Sequence, residues 1–143
     1  LEKLLGDAAF VAGSVLPLPP GRHTLYEDAG LGFVVLAHVL DAALQSPAHD
    51  HGASWAVYGQ VTRHTDVTEW RRVDAGAGAG RAELVATRQY RLEPGQAGLF
   101  EPRAIHAIDL PADTRFLRVT GVDLDRIPRL MFDIERRLAV PIG

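Results

Sequence analysis

Three histidines are the residues of this chain that could bind a metal ion together. His49 and His51 lie two positions apart, after Pro47 and before a stretch that alternates like a β-strand. Residues two apart in a strand point to the same face, so the two imidazoles would point in one direction, as metal ligands must. His106 is the candidate third ligand. Three neutral nitrogen ligands on one side of a metal leave its remaining positions open for substrate and O2 or water.

The other residues near these histidines suit a metal less well. Glu101 precedes His106 by five positions and is a competing ligand, but its place in a proline-containing turn favours a solvated carboxylate. Asp50 lies between the paired histidines and so points to the opposite strand face, which favours a structural role. Of the remaining histidines, His38 lies in an apolar run and is predicted to be a hydrogen-bonded core residue, and His64 is predicted to be exposed.

The composition limits the classes of protein to which this chain can belong. The chain has 143 residues, 47% of them hydrophobic and 23% charged, with a net charge of −3, as expected for one globular domain with a core. We expect no nucleic-acid partner, because the arginines form no basic stripe, and no membrane span, because no apolar run approaches ~20 residues. The absence of cysteine excludes disulfides, thiolate ligands and a cysteine nucleophile. No signal peptide is apparent, so we expect a cytoplasmic protein.

The order of predicted elements indicates an all-β domain behind a short N-terminal segment. Residues 1–13 carry apolar side chains at helical spacing, and a proline-rich connector follows. We therefore predict a helix and connector over residues 1–20 and one domain over residues 21–143. The domain reads as short strands with turns every 8–12 residues or so, which is typical of a jelly-roll barrel with a central cavity. A final apolar stripe predicts a C-terminal helix packed outside the barrel, formed by Ile127, Leu130, Met131, Ile134 and Leu138.

Several motifs resemble those of the cupins. The sequence Ser-Pro-Ala-His-Asp-His-Gly at residues 46–52, followed by Trp-Ala-Val-Tyr-Gly at 55–59, looks like the first cupin metal motif. It is most similar to that of the thiol dioxygenases, the group of cysteine dioxygenase and 3-mercaptopropionate dioxygenase. Residues 102–108 resemble the segment that bears the third histidine of this group. Residues 118–133 resemble the last strand and tail of its bacterial members, so the similarity runs in order from about residue 33 to residue 133.

This resemblance implies a cupin jelly roll, the double-stranded β-helix, with Fe(II) held by His49, His51 and His106. The glutamate that most cupins carry three or four residues after the histidine pair is missing, because Trp55 and Ala56 stand there. A three-histidine site agrees with that absence. The resemblance further implies an Fe(II)-dependent dioxygenase, a monomer or homodimer, that oxidises a small thiol to a sulfinate with O2. Imidazole also suits Zn, Ni and Cu, so the resemblance alone assigns iron.

The second half of the family's active site differs in this chain. Family members usually carry a His-x-Tyr pair on the last strand, and the matching residues here are Arg118 and Thr120. These two are therefore the candidate catalytic positions. The tyrosine hydroxyl of the family is lost unless Tyr58 or Tyr90 supplies it from another strand.

The group that would receive a substrate carboxylate has several candidates. His23, with Arg22 beside it, matches the position of the arginine of cysteine dioxygenase. Arg129 matches the arginine used by mercaptopropionate-type enzymes. Arg118 could take the same role if it faces the interior, because a guanidinium fork is the expected partner of a carboxylate.

Two other functions fit the same pattern. A three-histidine cupin of different specificity, such as a dioxygenase of β-diketones, would explain the changed residues 118 and 120. A cupin that binds a metal or a small ligand without catalysis would carry the same ligands. Metal content together with oxygen consumption separates these functions from a thiol dioxygenase.

Overall fold

The computed structural model describes residues 1–143 and consists mostly of β-strands. Before the first strand lie two short α-helices, α1 (Glu2–Leu5) and α2 (Ala8–Phe10), and a π-helical turn (Val11–Val15); a 3₁₀ turn (Leu124–Arg126) comes late in the chain. No helix is long and apolar enough to cross a membrane. The strands are β1 (Gly21–Glu27), β2 (Val34–Val39), β3 (Leu44–Gln45), β4 (Ala48–His49), β5 (Ala56–Thr62), β6 (Thr65–Arg72), β7 (Gly80–Arg81), β8 (Leu84–Leu92), β9 (Ala97–Phe100), β10 (Ile105–Leu110), β11 (Arg115–Thr120), β12 (Arg129–Asp133) and β13 (Leu138–Ile142).

Two antiparallel sheets form the predicted all-β domain. The first sheet has the strand order β1-β2-β11-β5-β9, and the second has the order β7-β13-β12-β4-β10-β6-β8, with β3 also paired to β10. The main buried cluster combines inward side chains of both sheets, so the sheets face each other across one core. The first sheet contributes Ala56, Tyr58, Phe100 and Phe116, and the second contributes Val67, Leu92, Ile108 and Leu110.

The N-terminal helical segment covers the outer face of the first sheet. Leu5 and Val15 pack with Ala37 of β2 and Leu117 of β11 in a separate buried cluster. Since successive strand residues alternate between faces, Leu36 and His38 of β2 and their neighbours on β11 point the other way, into the barrel. The helical segment therefore stabilises the sheet from outside and leaves its inner face to the space between the two sheets.

The predicted C-terminal helix is wrong. Ile127 lies before β12. The other residues assigned to the helix lie in the hairpin of β12 and β13, in which Arg129 pairs with Ile142 and Asp133 with Leu138. The turn between the strands is closed by Asp133 Oδ1, which accepts a 2.9 Å hydrogen bond from the Arg136 N–H. Pairing of β12 with β4 outweighs the local helical spacing, because tertiary context overrides the weak preference of a short segment.

Candidate metal centre

The three candidate histidines converge inside the barrel. One ligand atom from each of His49, His51 and His106 lies within 4.8 Å of the other two. The centroids of the rings are 4.5 Å apart for His49 and His106, 4.8 Å for His51 and His106, and 5.5 Å for His49 and His51. The predicted convergence of His106 on the histidine pair is therefore confirmed, and no carboxylate belongs to the group.

Strand pairing places these side chains together. His49 ends β4 and lies directly opposite His106 of β10, and on its other side it lies opposite Met131 of β12. Paired residues of neighbouring antiparallel strands project from the same face. The C-terminal hairpin is consequently a wall of the site, and His51, two residues after His49, points to the same space.

Asp50 fixes the turn that carries His51. Its Oδ1 accepts hydrogen bonds from the N–H groups of Gly52 at 3.0 Å and Leu130 at 2.9 Å. A Cβ atom at Gly52, where φ is +58°, would collide with the carbonyl oxygen of Pro128, so only glycine fits this close approach. Asp50 therefore has the structural role that the sequence favoured, and it fastens the His-x-His turn to the start of β12.

All three imidazoles are held in the neutral form that metals bind. Burial lowers the pKa of His51 to about 3, with further contributions from His49 and the Arg118 guanidinium. Burial also lowers the pKa of His49, and burial with the two neighbouring imidazoles lowers the pKa of His106 well below its ordinary value. The His49 Nδ1 lies 2.9 Å from the Pro47 carbonyl oxygen; donation there leaves Nε2 with its lone pair available.

The hydrogen bonding of these rings fits a metal. Both ring nitrogens of His106 and the Nδ1 of His51 are buried without a hydrogen-bond partner, although buried polar atoms normally have one. Three nitrogen donors in a dry interior suit Fe, Zn, Ni or Cu. Such an ion would bind one nitrogen of each ring and so would satisfy one of the two nitrogens of His106. Glu101 is exposed and lies outside the cluster, so the structure does not make it a ligand.

Aromatic groups enclose the cluster. Phe100 stacks on the His106 ring with a centroid separation of 4.0 Å. The Tyr58 hydroxyl lies 3.1 Å from His51 Nε2, and burial raises the pKa of this phenol. Tyr90 instead donates its hydroxyl to Glu69 on the neighbouring strand. Of the two tyrosines considered from the sequence, only Tyr58 reaches the histidines.

Arg118 faces the histidines from the first sheet. It lies directly opposite Tyr58 of β5 and Leu36 of β2, and its positive charge lowers the pKa of His49 and of Tyr58. Its Nε is buried without a hydrogen-bond partner, and no acidic side chain pairs with it. Thr120 is buried at the end of β11, where its hydroxyl donates to the Val122 carbonyl at 2.7 Å.

The remaining predicted site residues separate into two groups. Arg129 starts β12, its side chain is 16% exposed, and its charge lowers the pKa of His49. Arg22 lies on the inner face of β1, opposite His38, but it is engaged by Asp125 at 2.6 Å. His23 lies opposite Ala37, on the outer face, and contacts the Pro19 carbonyl at 2.8 Å. The structure therefore brings Arg118 and Arg129 to the histidines and turns His23 away.

His38 differs in one respect from the hydrogen-bonded core histidine that the sequence predicted. It is buried on the inner face, stacked on Phe116 with a centroid separation of 4.6 Å, as expected for a core residue. Its Nε2, however, has no hydrogen-bond partner. Burial, together with the charges of Arg118 and Arg22, lowers its pKa to about 3.

Known structures share this fold. The cupin domain of Schizosaccharomyces pombe Cnp3 is 10% identical, with a TM-score of 0.56 over 77% of this chain and 68% of that one. A cupin superfamily protein of Desulfitobacterium hafniense is 12% identical, with a TM-score of 0.51 over 72% of this chain and 77% of that one. A structure described as DMSP lyases RdDddP and RnDddQII is 17% identical, with a TM-score of 0.54 over 79% of this chain and 52% of that one.

The cupin fold predicted from the motifs is thus confirmed. No protein-family model matches the chain, and no curated protein matches its sequence significantly. At these identities the likeness is one of fold, and what the site does has to come from its own residues.

Proposed function

We propose that this protein is a non-haem Fe(II) dioxygenase that oxidises a small, carboxylate-bearing thiol. The observation that supports it most directly is the composition of the cavity. Three neutral imidazoles with no carboxylate among them face a guanidinium, that of Arg118, for which the chain provides no acidic partner. The first feature fits a metal with open positions, and the second fits an anionic substrate.

His49, His51 and His106 would hold the iron. When bound there, Fe(II) supplies the redox chemistry with O2 that protein side chains lack. The contribution of the chain is to keep the three rings neutral by burial and to leave donor nitrogens without competing hydrogen bonds. Phe100, stacked on His106, keeps bulk water from the rings.

Arg118 and Arg129 would bind the carboxylate of the substrate. The two residues lie on opposite sheets, Arg118 in β11 opposite Tyr58 and Arg129 at the start of β12. Burial is the main cause of the lowered pKa of His49, and the positive charges of both arginines contribute to it. Each has a buried Nε without a partner, and a desolvated guanidinium is costly until an anion pairs with it. A ligand spanning this gap would be oriented by its carboxylate, with its sulfur directed to the imidazoles.

Tyr58 would supply the hydroxyl that the family carries on its last strand. It approaches from β5, and its oxygen is 3.1 Å from His51 Nε2. With a raised pKa, the phenol stays protonated. If His51 binds the metal through Nδ1, its Nε2–H donates to the Tyr58 oxygen, and the phenol proton is left to donate to the substrate. The role of Thr120 would be to fix the end of β11, because its hydroxyl is committed to the Val122 carbonyl.

An oxygen-electrode screen of the Fe(II)-reconstituted protein tests this function. We expect O2 uptake with thiols that carry a carboxylate and at least about tenfold lower kcat/KM with uncharged thiols of the same length, since a charge-assisted hydrogen bond contributes about 1.5–3 kcal/mol. No uptake with any thiol contradicts the proposal. Uptake with β-diketones alone would assign the different specificity, and full iron occupancy without uptake of O2 would assign a binding protein.

A further inference from the structure

A short connection crosses the mouth of the barrel from one sheet to the other. The 3₁₀ turn Leu124–Arg126 joins β11 of the first sheet to β12 of the second. Leu124 is buried, 2% exposed, and anchors the turn. The Asp123 side chain caps it by accepting a 3.0 Å hydrogen bond from the Asp125 N–H. The turn therefore holds the Asp125 carboxylate in a defined place beside Arg22 and Arg129.

Asp125 contacts a guanidinium from each sheet. Its Oδ2 accepts a 2.6 Å hydrogen bond from Arg22 Nη2, and its Oδ1 lies 3.4 Å from Arg22 Nη1. On the other side, Oδ1 lies 3.8 Å from Arg129 Nη2. The pair with Arg22 is thus a close fork, whereas the contact with Arg129 is longer than a hydrogen bond.

The charges at the mouth do not balance. Arg22, Arg118 and Arg129 bring three positive charges, and Asp125 is the one carboxylate that forms an ion pair with any of them. Asp123 is engaged elsewhere, with its Oδ2 3.1 Å from Arg126 Nε. The arginines therefore carry positive charge that another anion could neutralise, and an anion at Arg129 would be repelled by the carboxylate of Asp125, 3.8 Å from that guanidinium.

We propose that Asp125 is the specificity-determining residue of the mouth: it competes with the carboxylate of the ligand for Arg129, while Arg22 draws it towards the first sheet. This inference rests on the carboxylate site of the proposed function. The Arg22 side chain then acts on ligand affinity indirectly, by holding Asp125 away from Arg129. Removal of the two residues should consequently have opposite effects.

Binding of propionate to the full-length, metal-loaded protein tests this, with propionamide as the uncharged probe and NMR titration as the measurement. Zn(II) serves as a diamagnetic metal. Asp125→Asn should bind propionate about fivefold more tightly, and Arg22→Gln several-fold more weakly, within the range of screened ion pairs. Both changes should shrink at high salt, and propionamide binding should not respond. Asp123→Asn is the matched control: its amide oxygen can still accept the hydrogen bond from the Asp125 N–H, so only a neighbouring charge is lost and propionate binding should stay unchanged.

The double variant separates an indirect from a direct role of Arg22. If Arg22 acts through Asp125, Arg22→Gln combined with Asp125→Asn should bind propionate as tightly as Asp125→Asn alone. Weaker binding by the double variant, unchanged or weaker binding by Asp125→Asn, an equal gain in Asp123→Asn, or no propionate binding by any variant overturns the inference. None of these readouts uses turnover, so absence of O2 uptake with thiols would reject the proposed reaction separately.

Discussion

The two walls of the cavity differ in what they offer a ligand. The histidine wall, His49, His51 and His106, presents three neutral rings with ring nitrogens that lack hydrogen-bond partners. The opposite wall, Tyr58 and Arg118, presents a protonated phenol and a cation without an acidic partner. Because burial keeps the imidazoles neutral, the first wall offers nitrogen lone pairs to a metal. The second wall offers hydrogen bonds from the Tyr58 hydroxyl, which burial keeps protonated, and from the Arg118 guanidinium. Metal affinity should therefore depend on the first wall, and recognition of the substrate on the second wall together with Arg129 at the start of β12.

The largest effect is expected from the histidine wall. His106→Ala should weaken metal binding by at least about 100-fold, because loss of a ligand should exceed the 10- to 100-fold cost of losing a residue that merely orients one. Elemental analysis after dialysis measures this. His64→Ala, which changes a histidine near Asp66 outside the cluster, is the control and should keep its metal. Equal metal content in the two variants would contradict the assignment of ligands.

A change on the opposite wall should leave the metal in place. We expect Arg118→Gln to bind iron stoichiometrically but to lower kcat/KM for carboxylate thiols by about 10- to 100-fold, the equivalent of one charge-assisted hydrogen bond. Uncharged thiols should lose much less, and oxygen uptake with the two substrate classes measures the difference. Loss of metal from Arg118→Gln would show that the two walls are not independent.

The Tyr58 hydroxyl belongs to the second wall but contacts His51 of the first, so its removal tests whether it takes part in turnover. Tyr58→Phe keeps the packing against Phe100 and removes the group 3.1 Å from His51 Nε2. Its kcat should fall by about three- to tenfold, the range for a neutral hydrogen bond, with KM and metal content retained. An unchanged kcat would mean that the hydroxyl has no part in turnover. Tyr90→Phe, which removes the hydroxyl bound to Glu69, is the matched control.

The smallest expected effect concerns His38 and stability. The pKa of His38 is lowered to about 3 in the folded chain. Between pH 6.5 and 3 its imidazole is therefore protonated in the unfolded chain but neutral in the folded chain. Its neutral burial therefore stabilises the fold fully above pH 6.5, and this contribution is lost as the pH falls. His38→Phe should reduce the loss of unfolding free energy between pH 7 and 5.5 by about 1 kcal/mol. Urea unfolding at the two pH values measures it; an unchanged pH dependence would mean that His38 titrates normally.

The histidine wall could be predicted because its information is local. The spacing of His49 and His51 fixes their common direction, and the glycine that follows allows the turn to approach the next strand closely. The cupin fold followed from the order of these motifs. A single strand pairing, that of β10 with β4, then brings His106 to the histidine pair.

For the opposite wall the sequence named Arg118 and Tyr58 as candidates, but it could not predict that both face the histidines, because that depends on register between distant strands. Tyr58 and Arg118 are sixty positions apart and meet only through the pairing of β5 with β11. A one-residue change of register would turn each side chain to the other face. For the same reason Asp125, in a turn with no recognisable motif, was not identified from the sequence.

The C-terminal segment shows how a periodic pattern can mislead. Five apolar residues at helical spacing suggested a helix, but the segment also has two features of a turn, at Asp133 and at Arg137. The Asp133 carboxylate accepts a hydrogen bond from the Arg136 N–H. Arg137 has a φ of +53°, a conformation that ends regular structure, and the segment folds back as β12 and β13. The error mattered for function, because Met131 of β12 lies opposite His49 and the same strand begins with Arg129.

X-ray absorption at the metal edge tests the central claim most directly. The protein loaded with one equivalent of Zn(II) should show three imidazole nitrogens at about 2.0–2.1 Å and no protein carboxylate in the first coordination sphere. His106→Ala under the same conditions should lose one imidazole or the metal altogether. A spectrum of the unmodified chain with fewer than three imidazoles, or failure to bind one equivalent, would contradict a metal centre built from His49, His51 and His106.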